Sequence, residues 1–328
     1  RTGGTLPSDA VTGRPTGTGK TQEEGRTAKR DKKAGVMENF YIIANTEKKD
    51  TYGCARGIRE YLTKRGKKCW IYEETEEEGT RSSDCSKEQA ASHRKFRYTD
   101  VSLIPKEVEC VIVLGGDGTI IQAAKDLKDR GLPILGINMG TLGYLAEIDT
   151  ASIFPALDAM MEDRYFIEER LMLCGQVVRG GKEIHEDVAL NDIVLSRSGS
   201  LRVIRFDIYV DGEYLNHYQA DGMIVATPTG STAYNLSAGG PIIMPTSDMI
   251  ILTPISPHTL NARSIVLPSD VEIEIHVKHP DTAKDTIPVA NFDADAFSPL
   301  QNEDVLRIAG SEKKAKLVKI SRISFLET

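Results

Sequence analysis

Apolar runs and amphipathic segments alternate over the first half of the chain. Apolar residues at helical spacing predict helices over Asp50–Arg65, from Thr119 as the cap to Arg130, and over Thr150–Arg164. Strands that alternate with helices predict an N-terminal α/β domain with a parallel, Rossmann-like sheet and right-handed crossovers. Four runs predict its strands, at Phe40–Ala44, Lys68–Tyr72, Val111–Leu114 and Leu132–Ile137, and the last two are expected to be buried.

The pattern changes to a period of two from about residue 165 onward. Apolar and polar residues alternate over Ile204–Val210 and again over Val271–Val277, and Asp211-Gly212 after the first of these runs predicts a hairpin turn. This alternation predicts a C-terminal all-β domain. The last apolar segment, Ala315–Leu326, fits either a closing strand of that domain or a return to the first domain.

These patterns divide the chain into four parts. Residues 1–36 contain almost no large apolar residue and are expected to be a disordered N-terminal extension. We assign residues 37–150 to an α/β nucleotide-binding domain and residues 151–315 to a β-rich domain, followed by a C-terminal segment, 316–328. Within the first domain, the charged segment 73–100 is expected to be a solvated loop.

Composition and charge argue against a nucleic-acid-binding, membrane or secreted protein. The net charge is −7 over 328 residues, but residues 1–36 carry +4, so the rest carries −11, which argues against nucleic acid as a partner. No apolar run approaches the length of a membrane span, and the N-terminus lacks the apolar core of a signal peptide. Five cysteines without a C-x-x-C pair suggest neither disulfides nor zinc. We therefore expect a cytoplasmic protein with no membrane partner.

The glycine-rich turn at the end of the Val111–Leu114 strand is the first candidate for chemistry. Backbone N–H groups of such a turn can converge on a phosphate group, and the carboxylate in it can bind Mg²⁺ or accept a proton from a hydroxyl. A tight strand-to-helix turn with a capping Asp is the alternative. The helix and strand that follow make it part of a βαβ unit, whose ligand lies beyond the carboxyl ends of the strands. Its residues are Gly115, Gly116, Asp117, Gly118 and Thr119.

Three further segments combine turn formers with polar residues. Gly136–Leu145 follows the next strand of the βαβ unit and is expected beside Asp117. Asn191-Asp192 lies between apolar strand residues, where it fits a ribose site or an Asx turn. Ala220–Gly240 contains a dense Thr/Ser/Gly loop whose hydroxyls suit a nucleotide, with a Ser/Thr-rich surface turn as the alternative.

Together, these motifs resemble those of the NAD kinase family, in the same order along the chain. The glycine–Asp loop alone is shared with diacylglycerol kinases, sphingosine kinases and phosphofructokinases, whereas the run Thr227–Tyr234 is specific. The resemblance extends from about residue 37 to the C-terminus. The motifs that carry it are Gly115–Thr119, Asn191-Asp192, Thr227–Tyr234 and Thr253–Leu260.

The resemblance implies an N-terminal α/β domain, a C-terminal β-sandwich-like domain and a homodimer or homotetramer. It implies Mg²⁺-dependent transfer of the γ-phosphoryl group of ATP to the 2′-hydroxyl of the adenosine ribose of NAD. Asp117 would be the catalytic carboxylate, Asn191 and Asp192 would hold the ribose and diphosphate, and Tyr144 and Leu145 would flank the adenine. The full NAD-binding set would be Gly118, Tyr144, Leu145, Asn191, Asp192, Asp221, Thr229, Thr232, Ala233, Tyr234 and Ser237.

One departure from the family and several alternatives remain. The family usually has Asp-Gly-Gln or a similar sequence where this chain has Asp293-Ala294-Asp295, which is expected to alter the donor-phosphate site or the metal requirement. A diacylglycerol-type lipid kinase shares the glycine–Asp loop, and a non-catalytic sensor of NAD or NADP would share the binding motifs. A Rossmann dehydrogenase is disfavoured because no G-x-G-x-x-G follows the first strand.

Overall fold

The structure, a computed structural model, contains three six-stranded sheets in the part of the chain that it describes. The described residues are 36–48, 50–71, 100–140, 143–258, 262–278 and 286–320, and the side chains of 295–298 are not described. The expected disordered extension and the expected loop at 73–100 therefore lie almost entirely outside the described residues.

The first sheet is mostly parallel and is formed by the first five strands of the chain together with the last one. Its first five strands are β1 (Asn39–Ala44), β2 (Lys68–Ile71), β3 (Cys110–Gly115), β4 (Ile134–Asn138) and β5 (Phe166–Arg170). The sixth is the last strand in sequence, β18 (Ala315–Lys319), and the order is β2-β1-β3-β4-β18-β5. Pairing is parallel up to β18, and β5 is antiparallel to it. The carboxyl ends of β1, β3 and β4 therefore share one edge.

Three helices of the α/β part pack on this sheet. They are α1 (Thr51–Lys64), α2 (Asp117–Asp126) and α3 (Ile153–Met161), with 3₁₀ turns at Val101–Leu103 and Thr150–Ser152. Apolar cores cover both faces of the sheet. One contains Phe40, Ile58 and Leu157, and the other contains Val113 and Ile120. Both faces of β1, β3 and β4 are thus buried, as their continuous apolar runs predict, whereas the edge strands β2 and β5 are mostly half-buried.

Two antiparallel sheets face each other in the rest of the chain. Side chains from both sheets, including Phe206, Ile275, Leu252 and Phe292, form their shared core. The first of the two has the order β10-β9-β14-β17-β6-β7, and the second has the order β13-β12-β11-β8-β15-β16. Their strands are β6 (Leu173–Arg179), β7 (Lys182–Ala189), β8 (Asp192–Gly199), β9 (Ile204–Val210), β10 (Glu213–Ala220), β11 (Gly222–Ala226), β12 (Met249–Ile255), β13 (Ile265–Pro268), β14 (Glu272–Val277), β15 (Thr286–Phe292), β16 (Asp295–Pro299) and β17 (Val305–Gly310). A 3₁₀ turn at Gly230–Thr232 and a short helix, α4 (Tyr234–Ser237), follow β11.

The fold class predicted from the sequence is confirmed: an α/β domain with a parallel sheet precedes an antiparallel β-sandwich. The hairpin at Asp211-Gly212 is also present, with φ of 50° and 77° at its two central residues. The domain boundaries proposed above stay a prediction. Within the described ranges, no helix combines the length and the apolar composition that a membrane crossing requires.

Two helix boundaries differ from the sequence prediction. Helix α2 begins at Asp117, with Gly116 as its N-cap, so the expected cap Thr119 lies inside the first turn. The helix expected over Thr150–Arg164 is a 3₁₀ turn followed by α3. In both cases the apolar spacing identifies the helix, but the residue at which it begins depends on backbone packing.

Candidate active site

A cavity of about 600 Å³ opens between the first sheet and the β-sandwich. On the α/β side it is bounded by the loop after β1 and the first turn of α2. On the sandwich side it is bounded by the segment between β7 and β8, the start of α4 and the turn between β15 and β16. Its lining residues are Asn45, Lys48, Gly116, Gly118, Thr119, Ile121, Gln122, Asn191, Asp192, Ala233, Tyr234, Asp293 and Ala294.

The glycine-rich turn forms a direct passage from β3 into α2. Gly116 is extended, with φ −119° and ψ −172°, and Gly118 already lies in the helix. The chain therefore does not curl so that the N–H groups of the turn converge on a phosphate group, as the sequence analysis expected. Glycine is required at 115 because a Cβ there would overlap the side chain of Thr119. In the first turn of α2, the N–H of Thr119 already donates to the carbonyl of Gly116 at 3.0 Å, whereas those of Asp117 and Gly118 precede the helical hydrogen-bond pattern. The positive end of the helix dipole still points towards the cavity.

Asp117 binds the second glycine-rich segment through its carboxylate. Its Oδ2 accepts a hydrogen bond from the N–H of Tyr144 at 2.8 Å, and its Oδ1 accepts from Leu145 at 3.2 Å and Ala146 at 3.4 Å. A Cβ on Gly143 would overlap this carboxylate, so the glycine allows the close approach. A carboxylate has about four acceptor sites, which leaves one on Oδ2 for a substrate hydroxyl.

Asp293 holds the opposite wall of the cavity. Its Oδ2 accepts from the N–H of Leu190 at 2.6 Å, and its Oδ1 accepts from Asn191 at 2.8 Å and Asp192 at 3.1 Å. These three bonds fix the backbone that carries the Asn191-Asp192 pair. The sequence analysis connected the whole Asp293-Ala294-Asp295 departure with the donor phosphates or the metal. In the structure both oxygens of Asp293 accept hydrogen bonds from backbone N–H groups, and the side chain of Asp295 lies outside the described part.

The carboxyl of Asp192 is buried in the cavity wall, with only 7% of the residue exposed. Burial, and secondarily the negative charge of Asp293, raises the pKa of Asp192 to about 7. Burial also raises the pKa of Asp293, although the N–H groups that it accepts and the charge of Lys125 oppose that shift. An acid that exchanges its proton near neutral pH therefore lies in the cavity.

The Thr/Ser loop after β11 is held mainly by its own side chains. Thr227 donates to the carbonyl of Leu190 at 2.6 Å and accepts from the N–H of Gly230 at 3.1 Å. Ser231 donates to the carbonyl of Pro228 at 2.6 Å. These hydroxyls stabilise the loop and do not line the cavity, so the expectation that its hydroxyls surround the ligand is corrected for them.

The structure brings part of the expected site together. Of the residues proposed from the sequence, those in the cavity lining are Gly116, Gly118, Thr119, Asn191, Asp192, Ala233 and Tyr234. Tyr234 is 45% exposed as a residue, and an exposed aromatic side chain can stack on a ligand or reach a second subunit.

The other proposed residues lie outside the lining. Gly115 and Asp117 are among them, although Asp117 stands between two lining residues, Gly116 and Gly118. Leu145 is buried in the core on one face of the first sheet, whereas Tyr144 is exposed. The hydroxyl of Thr229 is buried and accepts from Arg170 at 3.3 Å. Thr232 and Ser237 lie in the short turns after β11.

Asp221 lies at the far end of β11 from the loop. It precedes that strand, whose five residues span roughly 17 Å, and its Oδ1 is 2.5 Å from the Nε of Arg197. Asp221 therefore does not meet the cavity of its own chain, and its contact with NAD stays a prediction.

Three polar residues of the cavity were missed by the sequence analysis: Asn45, Lys48 and, in α2, Gln122. Asn45 and Lys48 follow β1 directly, and Asn45 donates from its side chain to the hydroxyl of Thr119 at 3.0 Å. A signal for them was available, since residues that follow neighbouring parallel strands meet at one edge of the sheet. Their short Asn-Thr-Glu-Lys turn, however, matches no motif by itself.

Comparison with known protein families identifies both parts of the chain. A model described as the ATP-NAD kinase N-terminal domain matches residues 40–165, and a model described as the ATP-NAD kinase C-terminal domain matches residues 190–320. The two matched regions contain every residue that lines the cavity.

Individual relatives and solved structures agree with these models. The chain is 45% identical to an NAD kinase of Lachnospira eligens over 300 residues, 89% of this chain and 98% of that protein. It is 42% identical to an NAD kinase of Lachnoclostridium phytofermentans, covering 88% of this chain and 96% of that protein. Its fold is similar to a yeast NADH kinase complexed with NADH (TM-score 0.67, 24% identity, 88% and 84% covered) and to an Archaeoglobus fulgidus NAD kinase in complex with ATP (TM-score 0.64, 23% identity, 88% and 95% covered).

Proposed function

Since this chain belongs to the ATP-NAD kinase family, we propose that it transfers the γ-phosphoryl group of ATP to the 2′-hydroxyl of the adenosine ribose of NAD⁺. The products are NADP⁺ and ADP. The observation that carries this proposal is the cavity itself. There the N-terminal turn of α2, which begins with Asp117, lies on one wall, and the Asn191-Asp192 pair and Tyr234 lie on the other.

The cavity suits the two substrates at its opposite walls. On the α/β side, the N-terminal turn of α2 offers N–H groups and a dipole end for the phosphates of the donor. On the sandwich side, the amide of Asn191 can both donate to and accept from a ribose, and Tyr234 offers a ring for stacking. NAD would therefore bind against the sandwich with its adenosine ribose turned towards Asp117.

Asp117 is the residue that we assign to the reacting hydroxyl. Its carboxylate is oriented by three backbone N–H groups, which leaves one acceptor site for the hydroxyl. Phosphoryl transfer requires little bond formation from the nucleophile, so a positioned weak base is sufficient. In this role Asp117 orients the 2′-hydroxyl and accepts its proton late.

Mg²⁺ would enter with the phosphates of the donor. In the described part of the chain, no three His, Cys, Asp or Glu side chains are grouped to hold a metal ion. Mg²⁺ at phosphoryl-transfer sites needs only one or two carboxylates together with phosphate oxygens and water, and Asp192 at the cavity wall fits that requirement. Mg²⁺ would neutralise charge on the phosphates, while the residues of this chain bind and orient the substrates.

The proposal is tested by the formation of NADP⁺. Purified protein, Mg-ATP and NAD⁺ are incubated, and the product is followed with an NADP-specific dehydrogenase. We expect Asp117→Asn to lower kcat by about 10²–10⁴-fold, because it removes the base, while NAD⁺ still binds in calorimetry. Asp129→Asn, an exposed carboxylate outside the cavity, is the matched control.

Two results would contradict this assignment. Turnover retained by Asp117→Asn would exclude Asp117 as the proton acceptor. An inactive wild-type protein that still binds NAD⁺, with either ATP or polyphosphate offered as donor, would instead favour the sensor. None of the relatives reported above is a lipid kinase. The homodimer or homotetramer that the resemblance implies, and the cytoplasmic location, stay predictions.

A further inference from the structure

We propose that Lys48 binds the triphosphate of the phosphoryl donor in the cavity. This inference rests on the proposed function and adds to it the cation that holds the transferred end of the donor. Lys48 belongs to none of the motifs on which the family resemblance was based. It follows β1 in a four-residue turn and lines the cavity.

The position of the amine carries the argument. The Nζ of Lys48 lies 3.1 Å from the point that a Cβ on Gly116 would occupy, and 3.3 Å from the corresponding point on Gly140. The ammonium group thus lies between the N-cap of α2 and the glycine-rich segment after β4. Because both neighbours are glycines, the amine can approach the two backbones without a side chain in between.

The turn that carries Lys48 is fixed to the rest of the site. The N–H of Asn45 donates to the carbonyl of Leu114 at 2.9 Å, and the side chain of Asn45 donates to Thr119 in α2. The hydroxyl of Thr51 donates to the carbonyl of Lys48 at 2.6 Å. The base of the Lys48 side chain is therefore held at a constant distance from the first turn of α2.

The negative charges around the cavity would repel a triphosphate unless a cation lies near it. Lys48 is the one basic residue among the described residues of the lining, which also includes the acids Asp192 and Asp293. The chain as a whole carries −7, so the global field repels a nucleotide triphosphate. The ammonium group and the N-terminus of α2 together supply local positive potential on one wall.

A lysine is suited to this task in phosphoryl transfer. Charge on the transferred group and on the leaving oxygen changes during the reaction, and a positioned cation stabilises it. The ammonium group is a compact charge on a flexible stem, so it can follow the phosphate as it moves. NAD also contains a diphosphate, and the experiment therefore separates the two substrates.

The test is a kinetic comparison of Lys48→Met with the wild-type protein. Methionine keeps the length of the stem and removes the charge. We expect KM for ATP to rise about tenfold or more and kcat to fall about tenfold or more, while KM for NAD⁺ changes less than about twofold. Lys48→Arg, which keeps the charge, is expected to retain more activity than Lys48→Met. Lys68→Met, an exposed lysine on β2, is the matched control.

A binding experiment tests the contact of Lys48 with a triphosphate independently of turnover. Calorimetry with inorganic tripolyphosphate is expected to show binding to the wild-type protein and to Lys68→Met, and at least tenfold weaker binding to Lys48→Met, with equal thermal unfolding midpoints. Unchanged KM for ATP, a rise confined to KM for NAD⁺, or equal tripolyphosphate binding would overturn the inference. An inactive wild-type protein that binds tripolyphosphate through Lys48 would refute the proposed function and leave this site standing.

Discussion

At the scale of single residues, the cavity concentrates carboxylates that are costly to bury. Asp192 is 7% exposed, and its pKa is raised to about 7 by burial and by the nearby charge of Asp293. An ionised carboxylate held in such a wall lowers the stability of the empty protein. A ligand that binds a buried carboxylate offsets this cost, which is why such acids are typical of functional sites.

The stability of the nucleotide-free protein should therefore depend on pH through Asp192. Between its unfolded pKa near 3.8 and its folded pKa of about 7, only the unfolded chain ionises, so stability falls as pH rises and the cost is complete above about pH 7. Asp192→Asn lacks this cost. Relative to the wild type, we expect it to gain up to about 4 kcal/mol between pH 4 and pH 8, at about 1.4 kcal/mol per pKa unit.

Urea unfolding of both proteins at pH 5 and pH 8 measures this difference. Glu312→Gln, which removes an exposed carboxylate, serves as the control. If the advantage of Asp192→Asn is the same at both pH values, the Asp192 carboxyl does not titrate near neutrality in the folded protein.

At the scale of elements, the hairpin of β15 and β16 forms part of the cavity wall on the side of the sandwich. Its two turn residues, Asp293 and Ala294, have φ of 52° and 70°. An aspartate tolerates this left-handed conformation through local hydrogen bonds, whereas alanine adopts it only under strain. The sequence departure at Ala294 thus has a conformational cost, and Asp293 in the same turn positions the Asn191 backbone.

Ala294→Gly should stabilise the protein. Relief of the left-handed strain, about 1–2 kcal/mol, exceeds the entropy that glycine adds to the unfolded chain, so we expect a net gain of about 0.5–1 kcal/mol. Ala151→Gly, at an exposed position without a positive φ, should be destabilising. Denaturant midpoints measure both variants, and a lower midpoint for Ala294→Gly would show that residue 294 is not left-handed.

At the scale of the whole molecule, a few buried polar contacts join the α/β part to the sandwich. Lys125, in the last turn of α2 and almost fully buried, donates to the carbonyl of Phe292 at 2.9 Å, and its Nζ is 3.2 Å from Asp187 on β7. Arg170 on β5 reaches Thr229 in the loop after β11. The helix that begins with Asp117 is therefore anchored, near its other end, to the hairpin that carries Asp293.

Replacing Lys125 should weaken the contact between α2 and the sandwich, which form the two walls of the cavity. We expect Lys125→Met to cost about 2–4 kcal/mol, because it leaves the Phe292 carbonyl without its donor and Asp187 without its nearer cation, and to lower kcat about tenfold. Lys128→Met removes a more exposed lysine 3.9 Å from the same Asp187 and should cost less than about 1 kcal/mol. Urea unfolding and steady-state kinetics test this, and equal effects of the two variants would contradict the anchoring role.

The fold could be predicted largely from local patterns. The buried strands at Val111–Leu114 and Leu132–Ile137, the helix of α1 and the Asp211-Gly212 hairpin each depend on hydrophobic period and turn chemistry within about fifteen residues. The position of the last strand could not be predicted in this way. Whether β18 closed the sandwich or returned to the first sheet was open, because its apolar spacing fits both and its neighbours β4 and β5 are distant in sequence.

The sequence by itself determined the fold class of the chain and the family to which it belongs. Only the tertiary structure decided the partners of the functional side chains, because these are set by sheet register and packing between distant segments. Asn45 and Thr119 are 74 residues apart, Leu190 and Asp293 are 103 apart, and Lys125 and Phe292 are 167 apart. No local pattern encodes such pairs. They form because the carboxyl ends of parallel strands meet at one edge and the sandwich packs against it.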